Sequence, residues 1–214
     1  MSKSIAIAGI HTGIGKTVVS AVVAEALGAD YWKPVQAGLE ERDSDALRQW
    51  LTNGPARVHP EAVALTQPLS PHAAAAIDGV TIDHTTLQWP KTNRLLIVET
   101  AGGLFSPMTD TATMADFMYY YRLPAILVVQ NYLGSINHTL LTIEALRSRG
   151  IPLLGIVVNG IENEASEQFI VQYSQTPIIA RVPQMLPPNQ QTITQCAHAI
   201  KPALTAALQK AGLF

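Results

Sequence analysis

Short apolar runs of strand length alternate along this chain with longer segments of helical period. Ile5-Ala6-Ile7-Ala8 is the first such run, and residues 16–27, rich in alanine and valine, continue as a helix. Residues 31–35 read as a second strand, and Asp43 or Ser44 can cap a helix that ends near Leu51. Between Asn53 and Pro90 the pattern is broken by Pro55, Pro60, Pro68, Pro71 and Pro90, which predicts short helices and loops packed on a sheet. Apolar runs return at residues 94–98, 125–130, 153–159 and 178–183. Helical stretches at 113–122, 136–149 and 164–173 separate them, and a last one covers 190–210. Strands apolar on both faces, alternating with helices, predict an α/β fold: a doubly wound, mostly parallel sheet with helices on both faces. Right-handed crossovers then put the strand C-termini, and with them a ligand site, on one edge. No repeat, linker or low-complexity segment interrupts the pattern, so residues 1–214 are read as one domain.

Composition narrows the partners. Hydrophobic residues at 48% supply core material, and charged residues at 14% leave a sparsely charged surface of the kind that an oligomer can hide. A formal net charge of −2, with no basic run, gives no electrostatic case for nucleic acid. The single cysteine, Cys196, excludes an internal disulfide and any multi-cysteine metal site, and reads as a buried structural thiol. The start Met1-Ser2-Lys3-Ser4 shows no signal-peptide pattern, and no apolar stretch approaches the ~18–20 residues of a spanning helix. The expectation is a cytoplasmic protein with neither membrane nor nucleic-acid partner.

The strongest chemical signal is Gly9-Ile10-His11-Thr12-Gly13-Ile14-Gly15-Lys16-Thr17, which follows a strand and opens a helix. Gly13 and Gly15 let backbone N–H groups turn inward around phosphates, Lys16 supplies a point charge, and Thr17 offers a hydroxyl to Mg²⁺. Five residues, not the common four, separate Gly9 from Gly15. A lysine in the first turn of a helix opposes the macrodipole unless an anion sits there, which favours a phosphate loop over an ordinary glycine-rich turn. The fold is therefore predicted to be P-loop NTPase-like, with a nucleoside triphosphate as ligand. A magnesium site needs hard oxygen ligands from elsewhere in the chain. Glu99 ends an apolar strand on the ligand edge and leads into the small residues Thr100-Ala101-Gly102-Gly103, so it reads as functional. Asp45, taken alone, reads as a first-turn helix acid. Lys33, at the end of the second strand, is balanced between a snorkelling surface lysine and a site residue.

Taken together these segments resemble the dethiobiotin synthetase family, over nearly the whole chain and in the family's order. The five-residue loop spacing is that family's variant. Lys33-Pro34-Val35-Gln36-Ala37-Gly38 is similar to its catalytic-lysine segment, and Asp43-Ser44-Asp45-Ala46-Leu47 to its metal-binding aspartate segment. Ser70-Pro71-His72 matches a further stretch. Glu99-Thr100-Ala101-Gly102-Gly103 resembles its acid-x-x-Gly-Gly turn, and Leu133-Gly134-Ser135-Ile136-Asn137-His138 its helix start. The resemblance implies a homodimer using ATP, Mg²⁺, CO₂ and 7,8-diaminononanoate, with active sites at the subunit interface. It makes Lys16 and Lys33 catalytic, and Thr17, Asp45 and Glu99 the metal ligands. It gives the nucleotide Gly13, Ile14, Gly15, Lys16, Thr17 and Val18, the turn Thr100, Ala101 and Gly102, and, around the purine, Asn159 and Gly160 with Val182, Pro183 and Gln184. Thr12 and Ala37 are assigned to the substrate, as are Gly134, Ser135, Ile136 and Asn137, where free N–H groups at a helix start can hold the substrate carboxylate. Three positions depart from the family pattern. Ile10 and His11 replace Thr-Asp, Ala37 replaces a hydroxyl residue, and Gly160 stands where arginine is frequent.

The alternative from another class is a partition or site-selection ATPase, a switch that binds protein partners. Those proteins carry an additional lysine early in the loop, where this chain has Ile10 and His11. A small-metabolite kinase shares the loop and leaves residues 133–138 unexplained.

Overall fold

The computed structural model describes residues 3–213; the reading of a leader-free start at Met1 and Ser2 lies outside the described residues. Its main sheet has six parallel strands. In chain order these are β1 (Ser4–Gly9), β2 (Asp30–Trp32), β5 (Leu96–Glu99), β6 (Ala125–Val129), β7 (Leu153–Asn159) and β8 (Ile178–Val182), in the spatial order β2-β5-β1-β6-β7-β8. The strands read apolar on both faces because both faces are covered: every residue of β5 and β6 is buried.

The first crossover, α1 (Lys16–Leu27), carries the chain from β1 outward to β2. Later crossovers run the other way, through α4 (Met114–Tyr120) to β6, α5 (Ser135–Ser148) to β7 and α6 (Glu164–Ser174) to β8. Right-handed connections in opposite directions place their helices on opposite faces. The last helix, α7 (Gln190–Lys210), returns to pack on α1, and α5 packs on α6. The order reverses at β1, so the crevice at its carboxyl end is the switch point where α/β sheets bind ligands. The loop of residues 9–15 lies there.

Helix α1 buries Val19, Val22 and Val23 with Ala21 and Ala24, so it is apolar nearly all round; each fully buried valine stabilises by roughly 1.5–3 kcal/mol. Gly28 ends it in the left-handed region, at φ 61°.

The expected second strand over residues 31–35 is divided in two. Strand β2 stops at Trp32, and Lys33-Pro34 leads into β3 (Val35–Ala37), which pairs with β4 (Val63–Leu65) in a separate two-stranded parallel sheet. Pro34 has no N–H to continue a ladder, so the chain leaves the main sheet there. The irregular stretch from 53 to 90 holds β4 and a short helix, α3 (Pro71–Asp78). The remaining helix, α2 (Asp43–Trp50), follows β3. Cys196 is buried on α7, and burial pushes its thiol pKa up, as a structural thiol requires. Among the described residues no helix is long and apolar enough to cross a membrane.

Candidate active site

The loop after β1 takes its shape from two glycines in the left-handed region, Gly13 at φ 78° and Gly15 at φ 80°. At Gly15 an added Cβ would also press on the Asn159 amide, which would have to move aside. That amide donates to the Ile14 carbonyl at 2.9 Å and so ties the end of β7 to the loop. The Ile14 side chain is in the core, leaving only its backbone to face a ligand.

Lys16 is buried, and its Nζ donates to the His11 carbonyl at 3.3 Å. Burial lowers its pKa from 10.5 to about 8; Glu99 raises it and Lys33 lowers it further. A buried ammonium resting on a carbonyl is a charge prepared for an anion.

Beside it lies a cluster of ionic groups. The Thr17 hydroxyl is 2.6 Å from Asp43 Oδ1 and 3.0 Å from Glu99 Oε1, and with one proton it donates to one of them at a time. Lys33 Nζ pairs with Asp43 Oδ2 and stands 3.6 Å from Glu99 Oε1. Tyr31 donates its hydroxyl to Glu99 Oε2 at 3.0 Å. Full burial, and then the charge of Glu99, push the Tyr31 phenol pKa well above 10, so Tyr31 stays a proton donor to that carboxylate. Gln36 Oε1 accepts from the Asp43 backbone N–H at 3.3 Å and steadies the start of α2.

Asp45 is not in this cluster. Its carboxylate pairs with Arg48 Nη1 at 2.5 Å on the exposed side of α2. The reason is helical phase: residues two apart on a helix point about 200° apart, so Asp43 and Asp45 cannot serve one site. The acid that meets Thr17 and Glu99 is Asp43. Two carboxylates and a hydroxyl are hard oxygen donors of the number that Mg²⁺ takes from a protein when phosphates and water complete its shell. The donor set fits that ion.

The other expected positions fall around this centre in different ways. The N–H and the hydroxyl of Thr100 both donate to the Ile7 carbonyl, at 3.2 and 3.1 Å, which leaves the hydroxyl its acceptor lone pairs. Gly102, at φ 67°, lies against the loop: an added Cβ would stand 3.4 Å from Thr12 Oγ1. Ala37 ends β3, on the Lys33 side. Val18 is half-buried on α1 against the core. Asn159 and Val182 are register partners at the ends of β7 and β8, and Gly160 N–H donates to the Val182 carbonyl at 2.9 Å, with Pro183 and Gln184 exposed beyond.

Gly134, at φ 100°, precedes α5, where Ser135 is buried, Ile136 half-buried and Asn137 exposed. Gly134, Ile136 and Asn137 line a groove of about 700 Å³ with Ile161 and Asn163. Sequence reasoning missed what joins this helix start to the loop. His11 packs edge-on against Tyr132 at 5.1 Å between centroids, and the Tyr132 hydroxyl bonds His138 Nδ1 at 2.6 Å.

Comparison with known proteins decides among the readings of this loop. Residues 3–192 match a family model described as an AAA domain. The ATP-dependent dethiobiotin synthetase BioD of Rhodopseudomonas palustris (strain HaA2) is 50% identical over 187 residues, 87% of this chain and 88% of its own. The chain belongs to the dethiobiotin synthetase family. The enzyme of the same description from Nitrobacter hamburgensis is 45% identical over 91% of this chain and 92% of its own. Among solved structures, the septum site-determining protein MinD of Pyrococcus horikoshii OT3, complexed with Mg-ADP, has a TM-score of 0.54 at 16% identity, covering 98% of this chain and 96% of its own. That likeness is one of fold alone, and the family membership lies with the synthetases.

Proposed function

We propose that this chain is an ATP-dependent dethiobiotin synthetase, one catalytic domain that carboxylates 7,8-diaminononanoate with CO₂, phosphorylates the carbamate and closes the ureido ring, giving dethiobiotin, ADP and phosphate. The observation that carries the reading is the meeting of a phosphate loop with the buried Lys33 and Glu99 and the half-buried Thr17 and Asp43 at the switch point.

One substrate amine loses a proton and adds to CO₂, giving a carbamate anion. A carbamate oxygen then attacks the γ-phosphorus and ADP leaves. The second amine attacks the carbonyl of the mixed anhydride; phosphate leaves and the ring closes with loss of a proton. The phosphorylation brings an anionic nucleophile to an anionic donor, so positioned positive charge and exclusion of water are what the protein must supply. Lys16 and the loop N–H groups hold the triphosphate, and Lys33 faces the transferring group. Thr17, Asp43 and Glu99 would hold Mg²⁺, which when bound supplies further positive charge to the phosphate oxygens. Asn159, Gly160, Val182, Pro183 and Gln184 border the base. The start of α5, Gly134 to Asn137, holds the substrate carboxylate of a partner subunit in a homodimer, and Thr12 and Ala37 face the diamine.

The test is phosphate release with each component omitted in turn. Turnover that needs ATP, Mg²⁺, bicarbonate and the diamino acid together supports the ligase. Turnover indifferent to bicarbonate and diamine would return the chain to the switch ATPases.

A further inference from the structure

Asp43 and Glu99 are two acids gathered on one threonine hydroxyl, in a place where Glu99 is 1% exposed. Carboxylates held that close in a low-dielectric site repel each other unless a cation lies between them. Lys33 is that cation here, bonded to Asp43 and 3.6 Å from Glu99. The same two carboxylates, with Thr17 Oγ1, are the hard donors that a divalent ion would use: Glu99 Oε1 faces both Lys33 and Thr17, while Asp43 gives Oδ2 to Lys33 and Oδ1 to Thr17. An ammonium and a divalent ion held on the same two carboxylates at these distances repel each other and divide the same negative charge, so each weakens the hold of the other. Nothing else anchors the ammonium: its only charged neighbours within ion-pair reach among the described residues are Asp43 and Glu99.

We propose that Lys33 and the divalent cation occupy the Asp43–Glu99 pair in turn. In the ligand-free enzyme the Lys33 ammonium neutralises the two acids. When nucleotide and metal enter, Lys33 leaves the pair, and its free ammonium becomes available to the carbamate and the transferring phosphoryl group. Lys33 is thereby withheld from chemistry until the metal–nucleotide complex is in place, and Asp43 is the carboxylate on which the exchange turns. This rests on the synthetase reading for the use of Lys33 but not for the exchange itself, which a binding measurement reads without substrate.

The experiment is a Mn²⁺ titration of the protein with saturating ADP and no diamine, with free Mn²⁺ read by electron paramagnetic resonance. Lys33→Met removes the competing charge, and Mn²⁺ binding should tighten about tenfold or more. Lys33→Gln, whose amide can still bond a carboxylate, should shift it in the same direction and serves if Lys33→Met does not fold. Lys33→Arg keeps the charge and should bind Mn²⁺ within about twofold of wild type. Asp43→Asn should weaken binding roughly tenfold or more. Neutral variants at Lys33 that bind Mn²⁺ no more tightly than wild type would overturn the exchange, as would an Asp43→Asn protein with unchanged affinity. Failure of the synthetase reading would appear instead as missing diamine-dependent turnover, with these affinities unaffected.

Discussion

The two flanks of the phosphate loop are built on different principles. On the β2–β5 side every strand end contributes a charged or hydrogen-bonding group, and Tyr31, Lys33, Thr17, Asp43 and Glu99 form one connected cluster. On the β7–β8 side the strand ends are almost featureless. The Asn159 amide makes one bond to the loop, Gly160 has no side chain, Val182 is buried, and the charged residue of β8, Arg181, pairs with Glu167 and Glu162. The first flank can neutralise and move charge; the second can present a flat, neutral wall to a base. Lys16 stands between them, buried and without a carboxylate partner within ion-pair reach among the described residues. On the proposed function, phosphoryl transfer is concentrated on one side of the loop, and the other side serves recognition.

The comparison is most exposed at Lys16. Lys16→Met keeps the apolar stem and removes the charge, so kcat should fall roughly 10²–10³-fold, as when a positioned donor to a developing anion is lost. Steady-state kinetics at saturating ATP check this; a rate near wild type would mean that the charged flank works without it.

The same variant should be more stable than wild type when no nucleotide is present. The folded-state pKa of Lys16, about 8, lies below its unfolded value of 10.5, so the buried ammonium opposes folding. That opposition is complete below pH 8, is relieved as pH rises from 8 to 10.5, and is gone above. Lys16→Met should therefore gain up to about 3 kcal/mol in urea unfolding at pH 7, a gain that shrinks toward zero above about pH 10.5. A gain independent of pH would place its cause in packing.

On the recognition side, Gly15→Ala forces a side chain into the left-handed region and against Asn159. A penalty of about 1–2 kcal/mol is expected, seen as a roughly tenfold rise in KM for ATP with kcat little changed. An equal loss in kcat would mean that the two flanks are not separable.

The smallest effect is expected at Asp45. Its pair with Arg48 is exposed, and Asp45→Asn should change the Mg²⁺ half-saturation less than about twofold and stability by less than about 0.5 kcal/mol. A large rise in the Mg²⁺ requirement would restore Asp45 to the metal and displace Asp43.

That contrast marks where sequence reasoning reached its limit. The loop was legible because Gly13, Gly15, Lys16 and Thr17 are contiguous and their context, strand then helix, is local. The parallel sheet was legible because its strands are apolar on both faces. Choosing between Asp43 and Asp45 needed the first helical residue of α2 to within one position, and helix ends are not read that finely from propensity. Tyr31 left a usable signal: alternation in an extended segment puts it on the same side as Lys33. The break at Lys33-Pro34 was likewise signalled by the missing N–H of Pro34. No local pattern announced the contacts of His11 with Tyr132 and of Tyr132 with His138, because they join segments more than 100 residues apart in the first case and depend on the crossover to α5 in both.

The central claim is that the charged flank moves a phosphoryl group onto a carbamate made from CO₂, and an isotope can follow that transfer directly. With ¹⁸O-labelled bicarbonate, used within minutes in the presence of ATP, Mg²⁺ and the diamino acid, the released phosphate should carry one labelled oxygen, the one through which the carbamate attacked. Phosphate released without label, its new oxygen drawn from water, would contradict the account.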